Sequence, residues 1–304
     1  MNLNIDFMAH RHLATVLSGV FLIASIVAFV WLGVNRGLDF TGGVLVELAF
    51  EEPVDPVYVR SILATNGYVD AVVQSMGSET EVQVRVPPIP GVDQSNVGDN
   101  IRSSLDEGIG ATDLRRSEFV GPTVGEELTE KGGLALLVAL GMVLLYIMLR
   151  FTGKFALGAV VALVHDVIIV VGLFCMFGWT FNLAELAALL AVIGYSLNDT
   201  IVVSDRIREN FRTVRRRNPV EIINLSLNQM LGRTLVTSLT TLLVLLALLL
   251  AGGEQISGFA TALTIGVVIG TYSSIYVAAN LLLMLNITSD DLALPQKEGS
   301  GEVV

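Results

Sequence analysis

Leu13-Ala14-Thr15-Val16-Leu17-Ser18-Gly19-Val20-Phe21-Leu22-Ile23-Ala24-Ser25-Ile26-Val27-Ala28-Phe29-Val30-Trp31-Leu32-Gly33-Val34 contains no charged residue and no proline. A hydrocarbon core about 30 Å thick needs about 20 apolar residues in one helix, because backbone groups there must be satisfied within the segment. The run therefore reads as a membrane span. It exceeds the apolar core of a signal peptide, about 7–15 residues, and no small-x-small cleavage site follows it, so it is expected to stay as an anchor. Working outward, residues 133–149, 155–178, 183–204, 235–251 and 259–285 give five further spans. The whole composition agrees. The 304 residues are 53% hydrophobic and 15% charged, against about 25% charged for soluble domains, and mean hydropathy is +0.68. A soluble enzyme is excluded.

Charge is segregated along the chain. The net charge is −11, yet the bases gather in alternate connections. Arg11 precedes the first span, and Arg150 and Lys154 lie between the second and third. Arg206, Arg208, Arg212, Arg215, Arg216, Arg217 and Arg233 lie between the fourth and fifth. The opposite connections, 179–182 and 252–257, carry no base. Cytoplasmic loops hold the excess of Lys and Arg, so both termini are expected in the cytoplasm. Four regions follow: 1–34 (N-terminus and first span), 35–131 (extracytoplasmic domain), 132–287 (spans two to six) and 288–304 (an unstructured cytoplasmic tail). The stretch from Arg206 to Arg217 is expected to enforce orientation and touch anionic lipid, not nucleic acid. Cys175 falls inside the third span, which leaves no disulfide framework and makes it a small buried apolar side chain.

Between the first two spans the hydrophobic period changes. Residues 44–50 alternate as a strand, and 55–66 read as a helix with Val59, Ile62 and Leu63 on one face and Asn66-Gly67 as its stop. Residues 71–76 and 81–86 form a hairpin, 95–107 a second helix stopped by Gly108, and 114–120 a last strand. The order β-α-β-β-α-β is that of a ferredoxin-like split unit. The segment has no histidine, no nucleophile–base pair and no metal-ligand spacing, so binding or mechanical work is expected of it.

Ionisable groups within spans are costly, about 2.5–3.5 kcal/mol at a helix centre, and default to functional candidates. His165-Asp166 lie near the middle of the third span. The fourth carries Asn198-Asp199 and, at its cytoplasmic end, Asp205-Arg206. Asp199 and Arg206 share one helix face, Asn198 and Asp205 a neighbouring one. The fifth opens with Arg233, and Thr234, Thr237, Ser238 and Thr241 form one stripe. A carboxyl taken out of water resists ionisation, while a nearby cation favours it. Asp199 is therefore expected to exchange a proton with Arg233 setting the balance, and the hydroxyl stripe to hold the water that carries it. Plainer readings stand beside this one. Membrane hydroxyls commonly bond a backbone carbonyl, Asp205, Arg206 and Arg233 sit where side chains snorkel to the interface, and His165 suits a structural hydrogen bond. Glu185 reads as interfacial. Gly266-x-x-x-Gly270, with Ser274 one turn on, is a small-residue face suited to packing within the chain.

At this point the motifs carry a resemblance. Gly37-Leu38-Asp39-Phe40-Thr41-Gly42-Gly43 resembles the entry motif of the SecD/SecF family, and Val120-Gly121-Pro122-Thr123-Val124-Gly125 resembles its exit motif. Gly194-Tyr195-Ser196-Leu197-Asn198-Asp199-Thr200, running on to Asp205-Arg206-Ile207-Arg208-Glu209-Asn210, is similar to the family's fourth-helix signature. The likeness covers the chain from the first span through the sixth. It implies an α-helical membrane protein of RND-like half-transporter type: six transmembrane helices with an inserted α+β ferredoxin-like domain, in the bacterial cytoplasmic (inner) membrane. It implies an accessory subunit of the Sec export machinery, with no cofactor and with protons as coupling ion. The implied partners are SecD, the Sec channel SecYEG with its associated subunits, unfolded preprotein and membrane lipid. By the same resemblance Asp199 matches the family's proton-pathway aspartate and Arg233 its partner arginine, with Asp166 and Asp205 in support. A proton-driven exporter of a small molecule or lipid, and a scaffold without proton chemistry, stay open as alternatives. A membrane-bound enzyme is disfavoured by the absence of any nucleophile, metal or cofactor constellation.

Overall fold

The computed structural model describes residues 5–89, 91–92, 94–151, 153–214 and 218–288. The expectations for Arg215, Arg216, Arg217 and the tail beyond 288 lie outside the described residues. In chain order, α1 (Arg11–Trp31) is followed by α2 (Leu38–Thr41), β1 (Gly43–Phe50), α3 (Pro56–Thr65), β2 (Val72–Ser75), β3 (Glu81–Val86), α4 (Val97–Gly108) and β4 (Thr112–Val120). Then come α5 (Pro122–Arg150), α6 (Gly153–Phe177), α7 (Leu183–Thr213), α8 (Pro219–Ala251) and α9 (Glu254–Ser273), with α10 (Ala279–Met284) continuing α9 through a π-helical turn at Ser274–Ala278. Two compact units result, one made of residues 35–137 with 180–186, the other of the remainder.

The first unit is built on a four-stranded antiparallel sheet of order β2-β3-β1-β4. Alternation puts Val44, Val46 and Leu48 of β1 beside Val82, Val84 and Val86 of β3 on one face, all 1% exposed or less. Helical spacing sends Val59 and Leu63 of α3 and Val97, Ile101 and Leu105 of α4 into the same core. Each such side chain contributes about 1.5–3 kcal/mol on burial, enough together to hold one small domain. Asp55 caps α3 by accepting from the Val57 N–H at 2.8 Å, with Pro56 in the first turn. Asp106 near the end of α4 accepts from both the backbone N–H (2.7 Å) and the hydroxyl (2.6 Å) of Thr112 at the start of β4. This is the ferredoxin-like arrangement that the order of periods predicts.

Among the described residues, six helices are long and apolar enough to cross a membrane: Met8–Trp31, Pro122–Arg150, Gly153–Phe177, Leu183–Thr213, Pro219–Ala251 and Gln255–Met284. The spans turn large residues outward and small ones inward. In α1, Leu13, Val16, Val20 and Ile23 are exposed while Ala14, Ser18, Ser25 and Ala28 are buried, as expected where lipid is the solvent and packing is driven by close approach. In α6, Ala156, Ala159, Ala162 and Leu163 are all buried, and Gly172 comes so close to Ser25 of α1 that a Cβ there would overlap it.

Two helices outrun the hydropathy. α7 continues past the expected end at 204 to Thr213, and α8 begins at Pro219 instead of 235. At 1.5 Å per residue a 33-residue helix is about 50 Å long, far beyond the hydrocarbon core. The extra turns pack on each other: Asn210 Nδ2 donates to Ser226 Oγ and to Gln229 Oε1, both at 2.8 Å. The side-chain carbonyls of Asn228 and Asn224 accept the backbone N–H groups of Ile5 and Phe7, tying the N-terminal segment to this stub.

Candidate functional site

Asp166 of α6 has no exposure and is fully partnered. Ser196 of α7 donates its hydroxyl to Oδ2 at 2.5 Å, and Ser273 of α9 donates to the same oxygen at 2.8 Å. Oδ1 lies 2.9 Å from Nδ1 of His165. The His165 ring stacks on Tyr272 at 6.3 Å, and the Tyr272 hydroxyl donates to the carbonyl of Ala14 at 2.7 Å. Next to this, the hydroxyls of Thr200 and Ser274 meet at 2.8 Å. Glycines make the convergence sterically possible. A Cβ on Gly266 would overlap Val192, and one on Gly270 would stand 3.0 Å from the Cβ of Ser196. The Gly266-x-x-x-Gly270 face is therefore used within the chain, against α7. Ser196, Ser273 and Tyr272 are site residues that sequence reasoning missed. The adjacent pair Ser273-Ser274 inside an apolar span was the available signal.

Asp199 presents the opposite picture. It is 4% exposed, and its buried Oδ2 has no hydrogen-bond partner among the described residues. The cation that acts on it through space is Arg233 of α8, whose side chain is exposed. The residues expected beside Asp199 are placed elsewhere. Asn198 is exposed on the outer face of α7. Asp205 is half-buried at the end of the span and paired with Arg150 at 2.5 Å, and Arg206 is paired with Glu209 at 2.8 Å.

The expected hydroxyl stripe divides. Thr237 donates to the carbonyls of Arg233 (3.1 Å) and Thr234 (3.0 Å), and Thr241 donates to that of Thr237 at 3.0 Å. A hydroxyl without water takes the nearest carbonyl lone pair, three or four residues back on its own helix. Thr234 is buried and Ser238 alone bridges helices, 2.7 Å from Thr271 Oγ1 of α9 and 3.4 Å from the Tyr195 hydroxyl of α7. Cys175 is buried and unpaired.

The N-terminal end of α7 is gripped by the segment that opens the domain. Asp39 Oδ2 accepts the Leu183 N–H at 3.0 Å, supplying from a distant part of the chain a cap for the first turn. Gly37 N–H donates to the Phe181 carbonyl at 2.9 Å, Phe181 N–H donates to that of Asn35 at 2.8 Å, and the Phe40 and Phe181 rings stack. A Cβ on Gly37 would run into the Asn182 side chain. Gly42 and Gly43 take φ of 66° and 114°, and a Cβ on Gly43 would collide with the Val86 carbonyl. Glu185 is 5% exposed and accepts the Asn182 N–H at 2.7 Å. The unsatisfied N–H groups of a helix start draw a carboxylate inward.

Known proteins share this arrangement. Residues 101–288 match the family described as protein export membrane protein SecD/SecF, C-terminal, and residues 32–54 match the SecD/SecF GG motif. The chain is 49% identical over 294 residues to the protein translocase subunit SecF of Pseudomonas aeruginosa, covering 96% of this chain and 95% of that one. It is 49% identical over 298 residues to the subunit of the same name from Vibrio alginolyticus, covering 98% and 95%. Among solved structures, SecDF from Thermus, a translocon-associated membrane protein, superposes with a TM-score of 0.85 at 37% identity, covering 94% of this chain. The present chain spans 39% of that SecDF chain. A SecDF structure in a super-membrane-facing form gives 0.70 at the same identity and the same coverage of both chains. With six spans, an inserted ferredoxin-like domain and both family motifs in place, this multi-pass membrane protein belongs to the SecD/SecF family of protein-export membrane proteins.

Proposed function

We propose that this chain is an accessory subunit of the Sec protein translocase that works with SecD to couple the proton-motive force to movement of an unfolded preprotein. The observation that carries the reading is the unpartnered Oδ2 of Asp199, buried within a span. An ionised carboxyl there lacks donors, and a protonated one lacks an acceptor. Either form is incomplete until water or a partner group arrives, which suits a group that gains and loses a proton. Arg233 stands in electrostatic reach to register the change. Asp166, saturated by three partners, acts as the hub that positions α7 against α6 and α9.

Proton flow drives work only if two packings of the bundle hold the proton with different affinity. A solved SecDF structure described as a super-membrane-facing form matches this chain at 0.70 where another SecDF structure matches at 0.85, at the same identity and coverage, which supports a fold with more than one arrangement. SecD supplies the second half, consistent with the 39% share of the SecDF chain that this one covers. SecYEG is the channel served, and the ferredoxin-like domain meets the preprotein. The basic residues collect at the end where Arg150 pairs with Asp205, which supports placing that end and both termini in the cytoplasm of a bacterial inner membrane. The test is export in cells whose only copy carries Asp199→Asn, with membrane level and SecD binding measured alongside. Lost export with normal assembly is expected. Normal export would overturn the relay through this carboxyl.

A further inference from the structure

At the basic end of the bundle, Arg150 of α5 and Asp205, Arg208, Glu209, Arg212 and Thr213 of α7 line a cavity of about 330 Å³. Its polar groups are unevenly matched. Asp205 is held by Arg150, and Glu209 by Arg206, which stands outside the cavity wall. Both acids are therefore already engaged. Arg208 has no ion pair among the described residues, and its buried Nε has no hydrogen-bond partner. A buried guanidinium N–H is unfavourable until an acceptor reaches it, and its planar fork fits two oxygens of one phosphate. Three arginines against two carboxylates leave the wall net positive, which favours an anion.

The surface beside the cavity narrows the choice of anion. The last turns of α5 expose Tyr146 (51%), one turn before Arg150 on the same face, and, farther round the helix, Leu145 (53%), Met148 (62%) and Leu149 (80%), an apolar ridge along the end of the span. A free phosphate makes no use of such a ridge, whereas an acyl chain does. Basic recesses between membrane helices on the cytoplasmic side are recurrent headgroup sites. We propose that this cavity binds the phosphate of an anionic phospholipid, anchored by Arg208, flanked by Arg150 and Arg212, with an acyl chain along α5. The orientation proposed above enters only in assigning the lipid to the cytoplasmic leaflet.

The full chain in nanodiscs of phosphatidylcholine with a minor share of phosphatidylglycerol of the same acyl composition, released and weighed by native mass spectrometry, tests it. The two leaflets are alike, so the result does not depend on which way the chain faces. The wild type is expected to retain one phosphatidylglycerol at least about tenfold above its share of the bilayer, a difference of about 1.4 kcal/mol. Arg208→Gln is expected to abolish the enrichment and Arg208→Lys to weaken it. Lys154→Gln, which removes a charge at the same end but outside the cavity wall, is expected to leave it. Equal retention of both lipids by the wild type, or enrichment unchanged in Arg208→Gln, overturns the proposal. Displacement of the lipid by millimolar inorganic phosphate would assign the site to free phosphate and overturn the lipid reading. Should Arg208→Gln fail to fold, the wild-type enrichment and Arg208→Lys decide.

Discussion

Asp166 and Asp199 lie on helices that touch, and neither has more than 4% exposure. Around Asp166, two serines and a histidine occupy both carboxyl oxygens. Around Asp199, one buried oxygen is left without a partner and the acting cation, Arg233, is exposed on another helix. Burial is the same, so burial cannot distinguish their roles. Unused hydrogen-bonding capacity can. A saturated carboxyl holds helices together, and one with a vacant oxygen is available for exchange.

The largest expected effect separates the two carboxyls directly. Asp199→Asn should lower export by an order of magnitude or more at normal membrane level, while Asp166→Asn, which keeps an acceptor for its serines, should retain most of it. Equal loss from both, with both proteins assembled, would break the comparison and extend the relay to Asp166. A second effect is on stability. Asp166→Leu strands the hydroxyl of Ser196 and the ring of His165, while Ser273 keeps the Gly270 carbonyl; each buried polar group left unpaired costs about 1–3 kcal/mol. The melting temperature of the purified protein should fall sharply, whereas Asp199→Leu, which strands fewer groups, should lower it little. A third, smaller effect is that of Ser273→Ala, which removes one of three partners and should cost about 1 kcal/mol; no change in melting would show that Asp166 does not depend on α9.

The smallest effect comes from a carboxyl in water. Asp106 is held below the usual aspartate range, chiefly by the Thr112 hydroxyl and further by the Thr112 N–H and Arg102, against a partial opposing effect of burial. A depressed folded-state value means that its contribution is complete above the unfolded pKa and is lost as pH falls through the folded one. The ferredoxin-like domain's melting temperature should therefore decline below about pH 4, slightly, because the group is largely solvated. Asp106→Asn should flatten that decline; an identical acid profile would remove Thr112 from the account.

The ferredoxin-like domain was legible almost element by element, because one buried sheet face and two amphipathic helices impose periods of 2 and 3.6 that need no tertiary knowledge. The spans were legible as apolar runs, but hydropathy saw only the lipid-embedded part of α8. Pro219–Gly232 mixes polar and apolar residues and is stabilised by contact with the end of α7. Asp199 and Asp166 stood out because charges in lipid are expensive. Which of the two is saturated depends on serines 30 and 107 positions from Asp166, and serines are too common in spans to signal a partner. The grip of Asp39 on Leu183 joins residues 144 apart and was equally invisible. A helical stripe of hydroxyls looks the same whether it faces water or folds back on its own carbonyls, so the sequence left both readings of Thr237 and Thr241 open and the structure shows the backbone bonds of the plainer one.

The π turn at Ser274–Ala278 changes the phase of the last span. One extra residue in a turn advances everything that follows by about 100°. Before it, Gly266 and Gly270 bear on Val192 and Ser196 of α7. After it, Asn280 donates to Thr15 of α1 at 2.8 Å, and Leu282 comes within 3.9 Å of the space above Gly158 on α6. One continuous segment thereby turns a different face to its neighbours along its two halves, like a shaft cut with two offset sets of teeth. Deleting a single residue from the turn would leave the span long enough to cross the bilayer, yet swing the Asn280 amide away from α1. A rotation of the whole segment would therefore bear on α7 through the glycines of α9 and on α1 through Asn280 of α10.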